Sequence, residues 1–135
     1  MPKFGKSSKA RLATCHPDLQ RLFNEVIKHV DCSILCGQRD KESQDAAFDK
    51  GTSKLRYPYS KHNGAPSLAV DVGPYYSDGT KVRWNDSKGF LHFSGFVRGV
   101  ASQMGIDIRV GADWDSDFDL LDQTFNDLPH FELIK

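Results

Sequence analysis

The chain has 135 residues, of which 39% are hydrophobic and 27% are charged, the size and balance of one globular domain with one core. Eighteen basic and eighteen acidic side chains give a formal net charge of zero, so neither nucleic acid nor a membrane surface is expected as a partner. The sequence has no apolar run long enough for a membrane span and no signal peptide, so we expect a monomer made in a reducing cytoplasm. Its three cysteines, too few for a disulfide scaffold, are predicted to be reduced thiols: Cys15, Cys32 and Cys36.

The first half of the chain predicts a helix, a strand and a second helix. Apolar residues recur at helical spacing after Pro17, which predicts an amphipathic helix that ends at about His29. A short apolar run closed by a glycine, Ser33–Gly37, predicts a strand. Lys41–Lys50 is predicted to be a helix that Gly51 ends. The apolar stripe of the first helix comprises Leu19, Leu22, Phe23, Val26, Ile27 and Val30.

The second half predicts three strands and one long helix. The strands are Ser67–Val72, Ile106–Val110 and His130–Ile134. Either Asn85 or Asp86 can cap the helix, which is predicted to run to about Met104. This order of elements indicates an α+β domain in which a small, mainly antiparallel sheet packs against helices.

Two of the predicted strands carry residues that could bind a metal. Asp71 lies on the face of small residues in its strand, opposite an apolar face, and a buried carboxylate there requires a cation or hydrogen-bond donors. His130 and Glu132 share one face of the last strand, and Asp127 precedes His130 by three residues. Together with His62, two imidazoles and one carboxylate would form a standard zinc set with a fourth position for water.

Each of these residues also has an ordinary structural interpretation. Asp71 could be a turn acid at the end of a strand, and His62 could be a solvated loop residue. His130 could be a core histidine whose hydrogen bonds are satisfied within the protein. Taken singly, the three residues do not establish a metal site.

Three words of the sequence resemble the signature of the zinc peptidases that include D-alanyl-D-alanine carboxypeptidases and phage L-alanyl-D-glutamate endopeptidases. These words are Ser60-Lys61-His62, Ala69-Val70-Asp71-Val72 and Asp127-Leu128-Pro129-His130-Phe131-Glu132-Leu133. Further segments are similar to the phage endopeptidase branch, so the resemblance covers the whole chain: Lys3–Gly5, Leu12–Leu22, Gly37-Gln38-Arg39 and Gly111-Ala112-Asp113-Trp114.

The resemblance implies a fold, an activity and a place of action. The fold would be that of the hedgehog and D-Ala-D-Ala peptidases, with residues 1–135 as a single zinc peptidase domain. The activity would be zinc-dependent cleavage of the bacterial peptidoglycan stem peptide between L-alanine and D-glutamate. A phage lysis enzyme of this kind would be made in the host cytoplasm and reach the periplasm and cell wall at lysis. The alternatives are a D-alanyl-D-alanine carboxypeptidase and a non-enzymatic metal-binding module.

The resemblance also implies roles for individual residues. The zinc ligands would be His62, Asp71 and His130. The general base would be Asp127, which takes a proton from the attacking water and passes it to the leaving amine. The loop between His62 and Asp71 has eight residues, more than the short form of the family word, so the path of this loop departs from the pattern.

Two further residues would contact the substrate. Arg39 would hydrogen-bond the polarised carbonyl or a substrate carboxylate, which a planar guanidinium does better than lysine. Ser60, two residues before the first ligand, is a weaker candidate for a substrate contact. A turn acid at Asp127 and a surface salt bridge between Arg39 and Asp40 remain the alternatives at this point.

A separate acidic segment could bind calcium. Its carboxylates alternate along the chain and could converge on one hard cation, but an EF-hand loop requires glycine where this chain has Phe118. The segment is therefore either a solvated acidic loop or a calcium site that orders the chain before Asp127. Its candidate ligands are Asp113, Asp115, Asp117 and Asp122.

Overall fold

The computed structural model describes residues 2–123 and 126–135 and contains a four-stranded antiparallel sheet, which confirms the predicted α+β class. The strands lie in the spatial order β1, β2, β4, β3. They are β1 (Cys32–Cys36), β2 (Ala69–Pro74), β3 (Ile108–Val110) and β4 (His130–Leu133). The helices are α1 (Lys6–Leu12), α2 (Pro17–Val26), α3 (Lys41–Asp49) and α4 (Ser87–Met104), with a short 3-10 helix at Lys61–Asn63.

One face of the sheet forms the hydrophobic core with α2 and α4. Phe131 in β4 is fully buried, and its ring packs edge-on against Phe23 of α2 at 5.4 Å and Phe93 of α4 at 6.0 Å between centroids. Val70 and Val72, which alternate with Asp71 in β2, point to this core as predicted and are fully buried. Because successive side chains of a strand point to opposite faces, the other face of the sheet is left for polar residues.

The strand register sets that polar face. Asp71 of β2 lies opposite His130 of β4, and Glu132 lies opposite Ala69 on one side and Arg109 of β3 on the other. Residues that are directly opposite in a sheet share a face. The register therefore places Asp71, His130, Glu132 and Arg109 on one face of three neighbouring strands, in two adjacent rows.

The helix boundaries follow their capping residues. The α2 helix begins at Pro17 as predicted but ends at Val26, three residues before the predicted end, and turns follow it. Asp40 caps α3 by accepting a hydrogen bond from the amide of Ser43 at 2.8 Å. Asp86, one of the two predicted caps of α4, accepts a hydrogen bond from the amide of Gly89 at 3.0 Å.

The α1 helix was not predicted, because a seven-residue segment with one buried apolar residue gives no periodic pattern. Its position shows what it does. Ser8 accepts a hydrogen bond from the amide of Ile34 at 3.0 Å, and Arg11 donates one to the Ile34 carbonyl at 3.1 Å. The helix thus pairs the backbone of β1, which is an edge strand that would otherwise expose unpaired groups.

The cysteines are free thiols, as predicted. Burial raises the pKa of Cys15 to about 11 and that of Cys32 to about 12, so both are unreactive near neutral pH. Cys36 is half-buried and lies at the end of β1. Within residues 2–123 and 126–135, no helix is both long and apolar enough to cross a membrane.

Candidate metal centre and catalytic cleft

Three separate elements supply the predicted metal ligands. His62 lies in the 3-10 helix, Asp71 in β2 and His130 at the start of β4. The 3-10 helix is held by a reciprocal cap, in which Ser60 accepts a hydrogen bond from the His62 amide at 3.2 Å and Asn63 accepts one from the Ser60 amide at 3.0 Å. Ser60 therefore fixes the backbone that carries His62.

The three side chains meet at one point of the structure. The Nε2 atom of His62 and the Nδ1 atom of His130 each lie 3.3 Å from Oδ1 of Asp71. All three side chains are buried, and their possible ligand atoms lie within 4.8 Å of one another. The sequence therefore identified a group of residues that converge and that could hold a metal ion.

Two atoms of this group are buried without a hydrogen bond. Nε2 of His62 and Oδ1 of Asp71 have no hydrogen-bond partner among the described residues, although they lie only 3.3 Å apart. A buried polar atom without a partner costs about 1–3 kcal/mol, so such atoms in a native site call for an explanation. A shared cation would satisfy both atoms at once.

The outward-facing nitrogen of each histidine is held by a protein acceptor. Nδ1 of His62 lies 2.8 Å from the carbonyl oxygen of Gly37, and Nε2 of His130 lies 2.9 Å from Oε1 of Glu132. A proton on each of these nitrogens leaves the opposite ring nitrogen free to bind a cation. Metal-binding histidines in proteins are commonly oriented by such a carbonyl or carboxylate.

Arg39 holds the remaining oxygen of Asp71. Its Nη2 atom donates to Oδ2 of Asp71 at 3.1 Å, Nη1 donates to Gln44 at 3.3 Å, and Nε donates to the sulfur of Cys36 at 3.3 Å. Gln44 is fully buried and also donates to the carbonyl oxygen of Leu55. Arg39 thus lines the cleft and pairs with Asp71 rather than with Asp40.

The electrostatics of the group favour a positive charge beside Asp71. Burial raises the pKa of Asp71, but His130 and His62 outweigh burial and hold that pKa well below its usual range. Burial likewise lowers the pKa of His62, but the Asp71 carboxylate outweighs it and raises the pKa to about 10. The negative charge of Asp71 stabilises positive charge on the two imidazoles. The same negative charge would stabilise a bound dication.

Asp127 lies next to the metal-ligand group. Its Oδ2 atom is 3.7 Å from Nδ1 of His130, and its side chain is 26% exposed to solvent. Burial and the negative charge of Asp71 raise the pKa of Asp127 to about 6. A carboxyl group with a pKa near neutrality can both accept and donate a proton, which is the property of a general base that later acts as an acid.

A cleft of about 640 Å³ opens over the group. His62, His130 and Asp127 line it, together with Arg39 and Ser60. The ring of Trp114 packs 5.2 Å from the ring of His130 between centroids. Two of the three predicted zinc ligands, the predicted general base and both predicted substrate residues therefore line one cleft, and Asp71 lies 3.3 Å from both histidines.

The acidic segment lies at one side of the cleft. Possible ligand atoms of Asp113, Asp115 and Asp117 lie within 4.8 Å of one another, and a hydrogen bond with Asp117 helps to raise the pKa of Asp122 to about 6. Phe118, in the place where an EF-hand has glycine, adopts a left-handed backbone with φ of 64°. Phe118 thus adopts a backbone conformation that glycine usually occupies.

Asp113 is the one buried member of that acidic segment among the described residues. It is fully buried, and its Oδ2 atom accepts hydrogen bonds from Arg98 at 2.9 Å and from the amide of Phe118 at 2.8 Å. Its Oδ1 atom is buried with no hydrogen-bond partner in the described part of the chain. One carboxylate oxygen is therefore held in place while the other is unsatisfied.

Comparison with known proteins gives the family. The family model described as phage L-alanyl-D-glutamate peptidase matches residues 1–134. The L-alanyl-D-glutamate peptidase of Escherichia phage T5 is 32% identical over 123 residues, which cover 90% of this chain and 88% of that protein. The crystal structure of the Serratia marcescens L-Ala D-Glu endopeptidase ChiX is similar with a TM-score of 0.75 and 26% identity, over 98% of this chain and 90% of that one. This chain belongs to the phage L-alanyl-D-glutamate peptidase family.

Several residues that complete the site were not predicted from the sequence. Glu132 was noted only as sharing a face with His130, and Gly37 only as part of a word that contains Arg39. Gln44 gave no signal, because nothing in a helix sequence indicates that one glutamine will be buried against an arginine. Of their contacts, only that between Gly37 and His62 joins distant positions, whereas Glu132 lies two residues from His130 and Gln44 five from Arg39.

Proposed function

We propose that this protein is a zinc-dependent endopeptidase that cleaves the peptidoglycan stem peptide between L-alanine and D-glutamate and serves a bacteriophage as its lysis enzyme. Residues 1–135 would form a single peptidase domain. The observation that carries the proposal is the convergence of His62, Asp71 and His130 beside Asp127 at the floor of a cleft, in a chain of this family.

The donor set fits zinc. Two imidazole nitrogens and one carboxylate oxygen are a common catalytic zinc set, and their separation of 3.3 Å from Asp71 to each histidine matches the edge of a tetrahedron with bonds of about 2.0–2.1 Å. When bound, zinc supplies a Lewis acid that polarises the scissile carbonyl and makes a water molecule acidic enough to attack at neutral pH. His62, Asp71 and His130 would hold it.

The residues around the ligands would move protons and hold the peptide. Asp127 would accept the proton of the attacking water and then donate it to the nitrogen of the leaving amine. Arg39 keeps Asp71 oriented and has further N–H groups, which would hydrogen-bond the carbonyl oxygen as negative charge develops on it. A protein that only bound a metal would need neither an acid of raised pKa nor an arginine beside the cation.

Digestion of isolated peptidoglycan tests the proposal. We expect new alanine carboxyl ends and new glutamate amino ends in the fragments, with loss of cleavage after chelation and recovery after zinc is returned. Mass spectrometry of the fragments identifies the bond. Release of terminal D-alanine would instead indicate a D-alanyl-D-alanine carboxypeptidase, and intact peptidoglycan with stoichiometric metal would indicate a metal-binding module.

We also propose that the acidic segment binds calcium through Asp113, Asp115, Asp117 and Asp122. The buried and unsatisfied Oδ1 atom of Asp113 supports this, since a hard cation would give it a partner. Calorimetric titration with Ca²⁺ should give one site that Asp113→Asn weakens at least tenfold. Asp49→Asn, an exposed acid at the end of α3, should leave the affinity unchanged; the same affinity in both variants would refute the site.

A further inference from the structure

The cleft has two arms of different chemistry. The larger arm, of about 640 Å³, is lined by charged side chains of both signs, four acidic and four basic, the basic ones being Arg39, Lys54, Lys61 and Arg109. A second depression of about 460 Å³ shares Arg39 and Asp127 with the larger arm and is lined mainly by apolar groups, including Leu35, Trp84, Phe90, Leu128 and Pro129. A peptide that crosses Asp127 would therefore have one charged side and one uncharged side.

Two of the four cations are bound to residues that support the metal-ligand group, and Lys54 also has interactions within the protein. Arg39 is bound to Asp71, Gln44 and Cys36. The ammonium group of Lys61 donates to the carbonyl oxygen of Leu133 and lies 3.3 Å from Oε2 of Glu132. Arg39 supports Asp71 and Lys61 supports Glu132, so neither side chain can turn to a ligand without disturbing the metal-ligand group.

Arg109 differs from these two cations. It lies on the edge strand β3, and its side chain is 43% exposed. Its one ion pair with the described residues joins Nη1 to Oε2 of Glu132 at 3.7 Å, near the outer limit for such a pair. Glu132 also binds His130 and Lys61, so its single negative charge neutralises only part of the charge of Arg109. The guanidinium of Arg109 can therefore bind an anionic group in the cleft.

The proposed substrate carries the matching charge. In the stem peptide, D-glutamate is linked onward through its γ-carboxyl group, so its α-carboxylate stays free and lies two bonds from the scissile nitrogen. The alanine on the other side of the scissile bond has no charge. A guanidinium binds a carboxylate through two parallel hydrogen bonds, which fixes its orientation as well as its position.

Building on the proposed function, we infer that Arg109 is the specificity residue that binds the α-carboxylate of D-glutamate. The amine side of the scissile bond then lies in the larger, charged arm beside Arg109, and the L-alanine side lies toward the apolar arm. Arg109 reaches this role from the same face of the sheet as His130 and Glu132. The inference also predicts the direction in which the stem peptide crosses the cleft.

A pair of matched substrates tests the inference. One is N-acetylmuramoyl-L-Ala-γ-D-Glu-diaminopimelate, and the other has the α-carboxylate of D-glutamate replaced by its amide. We expect the protein to prefer the acid over the amide by roughly ten- to hundredfold in kcat/KM, the worth of a hydrogen bond to a charged group. Arg109→Gln should bring this ratio close to one, and Arg109→Lys should give an intermediate ratio.

The ratio separates recognition from damage to the site. A general loss of folding or of metal would lower kcat/KM for both substrates equally and leave their ratio unchanged. Arg21→Gln, which removes an exposed arginine on α2 that pairs with Asp18, is the matched control and should retain the preference. An unchanged preference in Arg109→Gln would overturn the inference.

Two further outcomes are distinct from these. If Arg109→Gln instead abolishes a preference for the free carboxylate of diaminopimelate over its amide, the assignment to D-glutamate is wrong. If the unmodified protein cuts neither substrate between L-alanine and D-glutamate, the proposed function itself fails and the inference falls with it.

Discussion

Asp127 has the position and the acidity of a proton carrier. It lies 3.7 Å from the nitrogen of His130 that faces Asp71, and its pKa is raised to about 6 by burial and by the Asp71 carboxylate. It makes no contribution to the three-residue ligand group itself. Removal of this carboxylate should therefore affect the reaction without affecting the binding of the metal.

We expect Asp127→Ala to lower kcat by about 10²–10⁴-fold, the usual contribution of a general base. The variant should still bind one zinc ion per chain, because His62, Asp71 and His130 are unchanged. Turnover on peptidoglycan and elemental analysis of the same sample check both expectations. Normal turnover would refute the general-base assignment, and loss of zinc would show that Asp127 is a ligand.

Glu132 is expected to strengthen metal binding from a distance. Its Oε1 atom lies 2.9 Å from Nε2 of His130 and fixes the orientation of the ring. Glu132→Gln keeps an acceptor oxygen but removes the negative charge, so we predict a loss of zinc affinity of about 10–100-fold. Competition with a chromogenic chelator measures the dissociation constant.

The chain offers a matched control for Glu132. Glu25 lies 2.9 Å from Nε2 of His29 on the exposed surface of α2, with the same pair of groups and the same distance. Glu25→Gln should leave zinc affinity unchanged. Equal affinities in the two variants would show that the charge of Glu132 does not act on the metal.

At the residue scale, the sequence predicted the ligand group but not its supports. His62, Asp71 and His130 were identified because their words resemble a family signature, and the structure brings them together. Strand alternation placed Glu132 on the same face as His130 without assigning it a role, and the acceptor Gly37 follows only from the path of the loop that carries His62. Pairing between residues 25 or more positions apart leaves no local pattern in a sequence.

Among the elements, the turn after β3 positions Asp127. Gly111 donates its amide to the carbonyl oxygen of His130 at 2.9 Å and accepts a hydrogen bond from the Asp127 amide at 3.1 Å. A Cβ atom on Gly111 would overlap the carbonyl oxygen of Asp127. The absence of a side chain at Gly111 therefore lets the segment that carries Asp127 lie against the sheet.

We predict that Gly111→Ala displaces this segment. Because the clash involves backbone atoms, we expect it to lower the free energy of unfolding by about 1–3 kcal/mol. It should also lower kcat, because it moves the carboxylate of Asp127. Gly99→Ala is the control, since a Cβ on Gly99 meets nothing within 4 Å in the exposed face of α4. That control should stabilise the protein by about 0.5–1 kcal/mol, because alanine is a better helix former. Urea denaturation compares the two, and an undiminished stability of Gly111→Ala would contradict the packing argument.

The strands and the helices with a strong period were predicted well, and the two short helices were not. The α2 helix was predicted because its apolar residues recur on one buried side, and the observed cap of α4, Asp86, is one of its two predicted caps. The α1 helix and the 3-10 helix depend on contacts with β1 and on the Ser60 cap. Such elements are stabilised by tertiary contacts rather than by their own periodicity.

For the molecule as a whole, the ligand group joins distant parts of the chain. His62 and Asp71 come from its middle, and His130 comes from its last strand. The β2–β4 pairing already brings Asp71 opposite His130, so the sheet forms most of the site before any cation binds. Zinc should consequently add to the stability of a fold that exists without it.

We predict that zinc at a free concentration one hundred times its dissociation constant adds about 2.7 kcal/mol, because it binds the folded chain and not the unfolded one. For a domain of this size, that gain corresponds to an increase in Tm on the order of 10 °C. His62→Ala should abolish the increase, whereas His92→Ala, on the exposed surface of α4, should retain it in full. Differential scanning calorimetry of the metal-free and zinc-loaded forms makes the comparison. An equal rise in Tm in His62→Ala would mean that zinc stabilises the protein from somewhere other than the junction of β2, β4 and the 3-10 helix.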